Sequence, residues 1–133
     1  MIIASIEQLE KEAGEIQAYL EITISDDPAE AVQRGNDLAV YIARTGKMLA
    51  DARHHQDQRM KSTIMIKLKE IGKDANIPAT TMNNLIKSSC YMENYLVNWI
   101  ERLNRSATHQ LEWCRTLVSK AKIEMQFSGS HTT

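Results

Sequence analysis

A chain of 133 residues is long enough for one domain with a core and too short for two independent ones. Charged residues make up 25%, the net charge is -1, and there are five glycines and two prolines, which excludes a disordered or low-complexity chain and gives no reason to expect a polyanion binder. No apolar run approaches the roughly eighteen residues needed to cross a bilayer, and MIIASIEQLEKEAGE lacks the basic start and long apolar core of a signal peptide, so no membrane association and a cytoplasmic location are expected.

The first predicted helix covers about residues 3–22, where Ile2, Ile6, Leu9, Ala13, Ile16 and Leu20 recur alternately four and three apart and form one apolar stripe. It stops at ITISDDPAE. There Asp27 can cap a following helix, Pro28 fits its first turn, and Glu30 completes a capping box.

A second helix is expected over 28–71, with Val32, Gly35, Leu38, Ala39, Ile42, Leu49, Met60, Ile64 and Leu68 on or beside its inner face. Gly35, Ala39, Ala43, Gly46 and Ala50 form a small-residue surface, and each glycine costs about 1 kcal/mol against alanine in a helix, so a close-packing role is expected. RTGKML does not make a phosphate loop, because Tyr41 and Met48 stand at the first glycine and hydroxyl positions of that motif. DARHHQDQ, residues 51–58, is the most polar part of this helix. Asp51 and His55 lie one turn apart, a spacing that can hold a metal, but two ligands do not make a site, so a solvated face is expected for the His54/His55 region and no metal or cofactor is assigned.

IGKDANIPATT forms the turn, and a third helix is expected over 80–126. Ile86, Cys90, Glu93, Val97, Ile100, Asn104, Ala107, Leu111, Cys114, Val118, Ala121 and Met125 keep a four-three spacing and make a heptad seam. A second stripe of Met82, Leu85, Met92, Leu96, Trp99, Leu103, Trp113 and Leu117 adjoins it, giving this helix two neighbours. If the hairpin folds near residue 75, facing positions sum to about 149. Asn104 then meets Thr45 and Glu93 meets Gln56, pairs that would set register. Residues 1–127 thus form one all-α domain, a long antiparallel helical hairpin with the first helix packed on the half built from residues 28–50 and 99–125. The tail 128–133, SGSHTT, is expected to be disordered.

The first helix is too short for the whole hairpin. Met82, Leu85, Met92 and Leu96 are left as a bare strip, the expected interface of a homo-oligomer or of another protein partner. Charge is also uneven. Residues 1–30 hold eight acids against Lys11, whereas residues 53–73 hold six bases against Asp57 and Glu70.

Two further sets of residues are candidates for binding. Tyr95, Trp99, Arg102, His109 and Trp113 share a shoulder of the third helix where rings and cations could stack a base and meet a phosphate; a bundle edge closed by tryptophans is the alternative. LKEIGKDANIPATTMNNLIKSS resembles a helix-turn-helix at 67–87, and Arg59, Lys61, Lys67, Lys69, Lys73 and Lys87 would suit nucleic acid. No serine or cysteine has a placed base and orienting acid, so no enzyme is expected.

The tracts ARTGKMLADA and ENYLVNWIERLNRSATHQLEWCRTLVSKAKIEM resemble small all-helical proteins of phages and prophages, over most of residues 40–125. The resemblance implies a phage accessory protein in the host cytoplasm, working near DNA replication or recombination or against a host defence. It carries over no functional residue. The expected function is a non-enzymatic protein–protein interaction module, with a nucleic-acid or nucleotide binder as the alternative.

Overall fold

The computed structural model describes residues 2–71 and 77–130. All regular structure among them is helical: α1 (Ile6–Leu20), α2 (Pro28–Ile71), α3 (Ala79–Ser89) and α4 (Tyr91–Ser130).

The start of α1 is set by a capping box. Ser5 Oγ accepts from the Gln8 amide at 3.2 Å, and Gln8 Oε1 accepts from the Ser5 amide at 2.9 Å. This reciprocal cap begins the helix at Ile6, later than the apolar spacing alone suggests, because Ile2 and Ile3 lie in the extended segment before it. The start of α2 lies where DDP places it. Asp27 Oδ2 accepts from the Glu30 amide at 3.1 Å, while the Asp27 amide itself is satisfied by Ser25 Oγ rather than by the expected Glu30 side chain.

The expected third helix is two helices. Ser88 Oγ donates to Asn84 O at 2.8 Å, and Ser89 Oγ lies 2.7 Å from Ile86 O and 2.9 Å from Thr63 Oγ1. Two adjacent serines that bond back to their own turn compete with the helical ladder. Cys90 then leaves helical geometry at φ -105°, ψ 15°, its amide bonding back to Lys87 O. Beyond it α4 continues as helix to Ser130, through residues 128–130 where a disordered tail is expected.

Helices α2 and α4 run antiparallel. Asn104 Nδ2 donates to Thr45 Oγ1 at 2.8 Å, the expected polar layer, with Thr45 fully buried. The second expected layer is displaced by one residue: Gln56 Nε2 donates to Asn94 Oδ1 at 2.6 Å, and not to Glu93. Both layers lie within α4, so the pairing sum rises from 149 to 150 along one unbroken helix.

One core joins α1 to the hairpin through Leu9, Ala13, Ile16, Met48, Ala52, Leu96, Val97, Ile100 and Leu103, and a second joins Leu38, Ala107 and Cys114 to Tyr19, Leu20 and Leu111. The helix therefore sits on the middle of the hairpin. Its N-terminal end reaches Asp51 and His55 and its C-terminal end reaches Arg34 and Gln110, so both ends of the hairpin extend beyond it. At the proximal end Val32, Ile123, Met125 and Phe127 are exposed. At the distal end Ile64 and Leu68, expected on the inner face, are exposed as well, and Thr63 and Cys90 are buried there instead.

The small-residue surface divides in the same way. A methyl on Gly35 would meet Leu111 Cδ1 at 3.4 Å, so that glycine does allow close approach, but a methyl on Gly46 would meet nothing within 4 Å. Ala39, Ala43 and Ala50 are exposed.

Candidate functional site

Two long-range anchors fix where α1 lies and hence what it leaves bare. At its C-terminal end the buried Arg34 reaches across from α2. Arg34 Nη2 donates to Ile22 O at 3.0 Å, to Tyr19 O at 3.2 Å and to Gln110 Oε1 at 2.9 Å, and the guanidinium carbon lies 4.2 Å from the centre of the Tyr19 ring. Gln110 Nε2 donates to Leu20 O at 2.9 Å. There is no basic residue in the last turn of α1, so Arg34 supplies from outside both hydrogen bonds and a positive charge to that carbonyl end. Burial and the hydrogen bond to Asp37 push the Tyr19 phenol up to about 12. Arg34 was open to detection: it falls in phase with Ala31, Leu38 and Thr45 on the inner face, where an arginine needs partners.

At the other end, His54 is exposed with Arg53, Asp57 and Gln58, as a solvated face requires, whereas Asp51 and His55 of the same tract are tied to the N-terminal segment. Asp51, 6% exposed, accepts from the Ala4 amide at 3.2 Å and from the Lys47 ammonium. His55 Nε2 lies 2.7 Å from Ala4 O and so carries its proton on that nitrogen, and Lys47 Nζ donates to Ile2 O at 3.3 Å. Burial alone would raise the Asp51 carboxyl, but the Lys47 and Ala4 bonds outweigh it and hold the group below its ordinary value. Asp51 and His55 thus clip the extended residues 2–4 to α2. His54 only edges against His55, at 5.7 Å between ring centres. Among the described residues no group of three His, Cys, Asp or Glu side chains is placed to hold a metal.

The aromatic shoulder of α4 separates into parts. Tyr95, 70% exposed, and Trp99 have ring centres 6.3 Å apart, and they line an open groove of about 710 Å³ with Arg102, Arg105, Asn98 and Gln17. Trp99 Nε1 donates to Gln17 Oε1 at 2.7 Å, so this ring closes the α1–α4 edge. His109 lies in a different groove with Leu49, Asn104 and Thr108, 3.7 Å from Glu112. Trp113 is half exposed and lines neither. The five residues share a helical phase, but ten residues of rise separate Trp99 from His109 by about 15 Å.

At the distal tip, Arg59 Nε bonds Ser89 O at 3.3 Å and Lys67 pairs with Glu70 at 3.1 Å, whereas Lys61, Lys69 and Lys87 are exposed. Lys73 and the turn of the helix-turn-helix-like tract lie outside the described residues. Helix α3, 11 residues long, stands as a discrete helix where a single helix over 80–126 is expected.

The stripe that reads Met82, Leu85, Met92, Leu96, Trp99, Leu103 meets two fates. Under α1, Leu96 is 3% and Leu103 4% exposed, so Leu96 belongs to the core and not to the bare strip assigned to it. Beyond the N-terminal end of α1, Met92 is 59% and Leu85 40% exposed, with Met82 half-buried. None of the residues of α3 is buried. A stripe of one periodicity is sealed where a third helix covers it and open where that helix ends.

Cys90 and Cys114 are buried and unpaired, and burial raises the Cys114 thiol despite the nearby Arg34 charge, so neither is set up as a nucleophile. Among the described residues no helix is long and apolar enough to cross a membrane. No protein-family model, curated protein or solved structure matches this chain.

Proposed function

We propose that the protein is a non-enzymatic helical interaction module that assembles with itself through the distal half of its hairpin. The observation that carries this reading is the divided stripe of α4: Met92 continues the pattern that α1 seals at Leu96 and Leu103, yet stands exposed, and across the break at Cys90 the exposed Leu85 of α3 adds to the open apolar surface. Alternating covered and uncovered stretches of one stripe are what a bundle shows when its last neighbour comes from another chain. The resemblance of residues 40–125 to small helical phage and prophage proteins supports an accessory role in a phage setting, in the host cytoplasm. An interaction module needs no catalytic constellation, cofactor or metal.

The test is a pair of charges on the open stripe. Leu85→Glu with Met92→Glu keeps the helical circular-dichroism signal, because neither side chain belongs to a buried core cluster of the single chain. The mass measured by light scattering falls to that of one chain. An unchanged mass distribution would remove this surface as the site of assembly.

A further inference from the structure

Independently of that reading, we infer that the distal tip of the hairpin is a folding unit of its own: α3 opens and closes on the end of α2, latched at Ser89, while α1, α4 and the rest of α2 stay folded.

Little holds α3 in place. None of its residues is buried, and its apolar side chains Met82 and Ile86 are only half-buried. Among the described residues, the hydrogen bonds that join it to α2 both sit on Ser89, its last residue: Ser89 Oγ lies 2.9 Å from Thr63 Oγ1, and Ser89 O accepts from Arg59 Nε at 3.3 Å. At Cys90 the backbone leaves helical geometry, so α3 is not a continuation of the well-packed α4. A helix of 11 residues is marginal in water without packing, because the cost of its first turn is spread over so few bonds. Segments with few buried apolar contacts open at less cost than the core they adjoin.

The two cysteines lie one on each side of this division. Cys114 is buried in a core cluster with Leu38 and Ala107, so a reagent reaches it only when the bundle itself opens. Cys90 is 1% exposed yet belongs to neither core cluster, and its Sγ lies 3.5 Å from Ser89 Oγ, beside the latch. Opening of α3 takes Ser89 away from Thr63 and uncovers Cys90 while the core stays closed. The same motion governs the apolar surface of the tip. Leu85 lies on the part that opens and Met92 on the part that stays, so only the closed tip presents both together.

The experiment follows both thiols in one molecule. The full chain is alkylated with iodoacetamide under native conditions, and peptide mass spectrometry gives the rate at each cysteine. Cys90 is expected to react about a hundredfold or more faster than Cys114. Asn83 and Asn84 are exposed on α3; Asn83→Gly with Asn84→Gly should speed Cys90 about tenfold or more relative to Asn83→Ala with Asn84→Ala, since glycine and alanine differ so widely in helix propensity. Ile16→Val, which trims the core beneath α1, should speed Cys114 about fivefold and leave Cys90 unchanged. Circular dichroism checks that each variant stays helical. Equal rates at the two thiols, or an Ile16→Val that speeds both alike, would mean that the tip opens only with the whole bundle and would overturn the inference. A single Cys90 rate for the glycine and alanine variants would overturn it too, because Cys90 would then be reached without the unfolding of α3. Neither result alters the outcome of the assembly test with Leu85→Glu and Met92→Glu.

Discussion

A single guanidinium decides how firmly α1 is held. Arg34 bonds two carbonyls at the end of that helix, a glutamine of α4 and the face of Tyr19, and it does so while 9% exposed. Arg34→Ala would remove the charged donor shared by Ile22 O and Gln110 Oε1 and the packing on Tyr19, while Tyr19 O keeps the Ile22 amide, and about 1–3 kcal/mol of stability should be lost in urea unfolding. Arg34→Lys should recover part of it, since all three bonds leave the one nitrogen Nη2 while Nε is buried without a partner; what an ammonium cannot replace is the flat guanidinium over the Tyr19 ring. At the opposite end of α1 the clip through Asp51 has a pH signature. Its carboxyl is held below the ordinary 3.8, so the folded chain binds fewer protons than the unfolded one in the acid range. The stabilisation is then complete above about pH 4 and is lost as pH falls through the depressed folded value. The advantage of the wild type over Asp51→Asn should be present near pH 7 and disappear in strong acid; equal pH profiles for the two proteins would refute the clip.

Among the elements, α2 separates conformational cost from packing need. Gly35 and Gly46 read alike in the sequence, each a glycine inside a helix beside other small residues. Only Gly35 faces a neighbour, Leu111, closely enough for a methyl to matter. Gly46→Ala should therefore stabilise the chain by about 0.5–1 kcal/mol, seen as a melting temperature a few degrees higher, whereas Gly35→Ala should yield less. A destabilised Gly46→Ala would mean that another backbone does rest on that surface. The boundaries of α2 were legible because Asp27 and Pro28 carry a cap and a first-turn signal in adjacent positions. The break between α3 and α4 was not. Neither serine nor cysteine is a helix breaker alone, and the local bonds of Ser88 and Ser89 act together with Thr63 from across the hairpin.

Across the whole molecule, the helical class, the antiparallel pairing of α2 with α4 and the Thr45–Asn104 layer could be read from spacing, because a heptad seam constrains register wherever it is unbroken. What spacing could not supply was the axial position of α1. Lys47, Asp51 and His55 fix it through backbone groups of Ile2 and Ala4, and nothing in periodicity reports such bonds. The same gap explains the aromatic shoulder. Tyr95 and His109 agree in phase, but only the placement of Gln17 shows which part of α4 forms an edge with α1. Sharing a face is a two-dimensional property, and a site also requires closeness along the axis.

The clip on residues 2–4 also determines where the chain enters its own fold. The backbone is held at Ile2 by Lys47 and reaches His55 at Ala4, at the boundary between the sealed and the open stretches of the stripe. Anything joined ahead of Ile2, whether an affinity tag or a fluorescent protein, would start near Lys47, eight residues or about 12 Å along α2 from the level of His55 where the open stretch begins. A fusion placed after α4 would sit more than 50 Å away, at about 1.5 Å for each residue of helix between. Opposite results from the two labelling schemes would therefore reflect where the label stands, and the C-terminal label is the one that leaves the surface free.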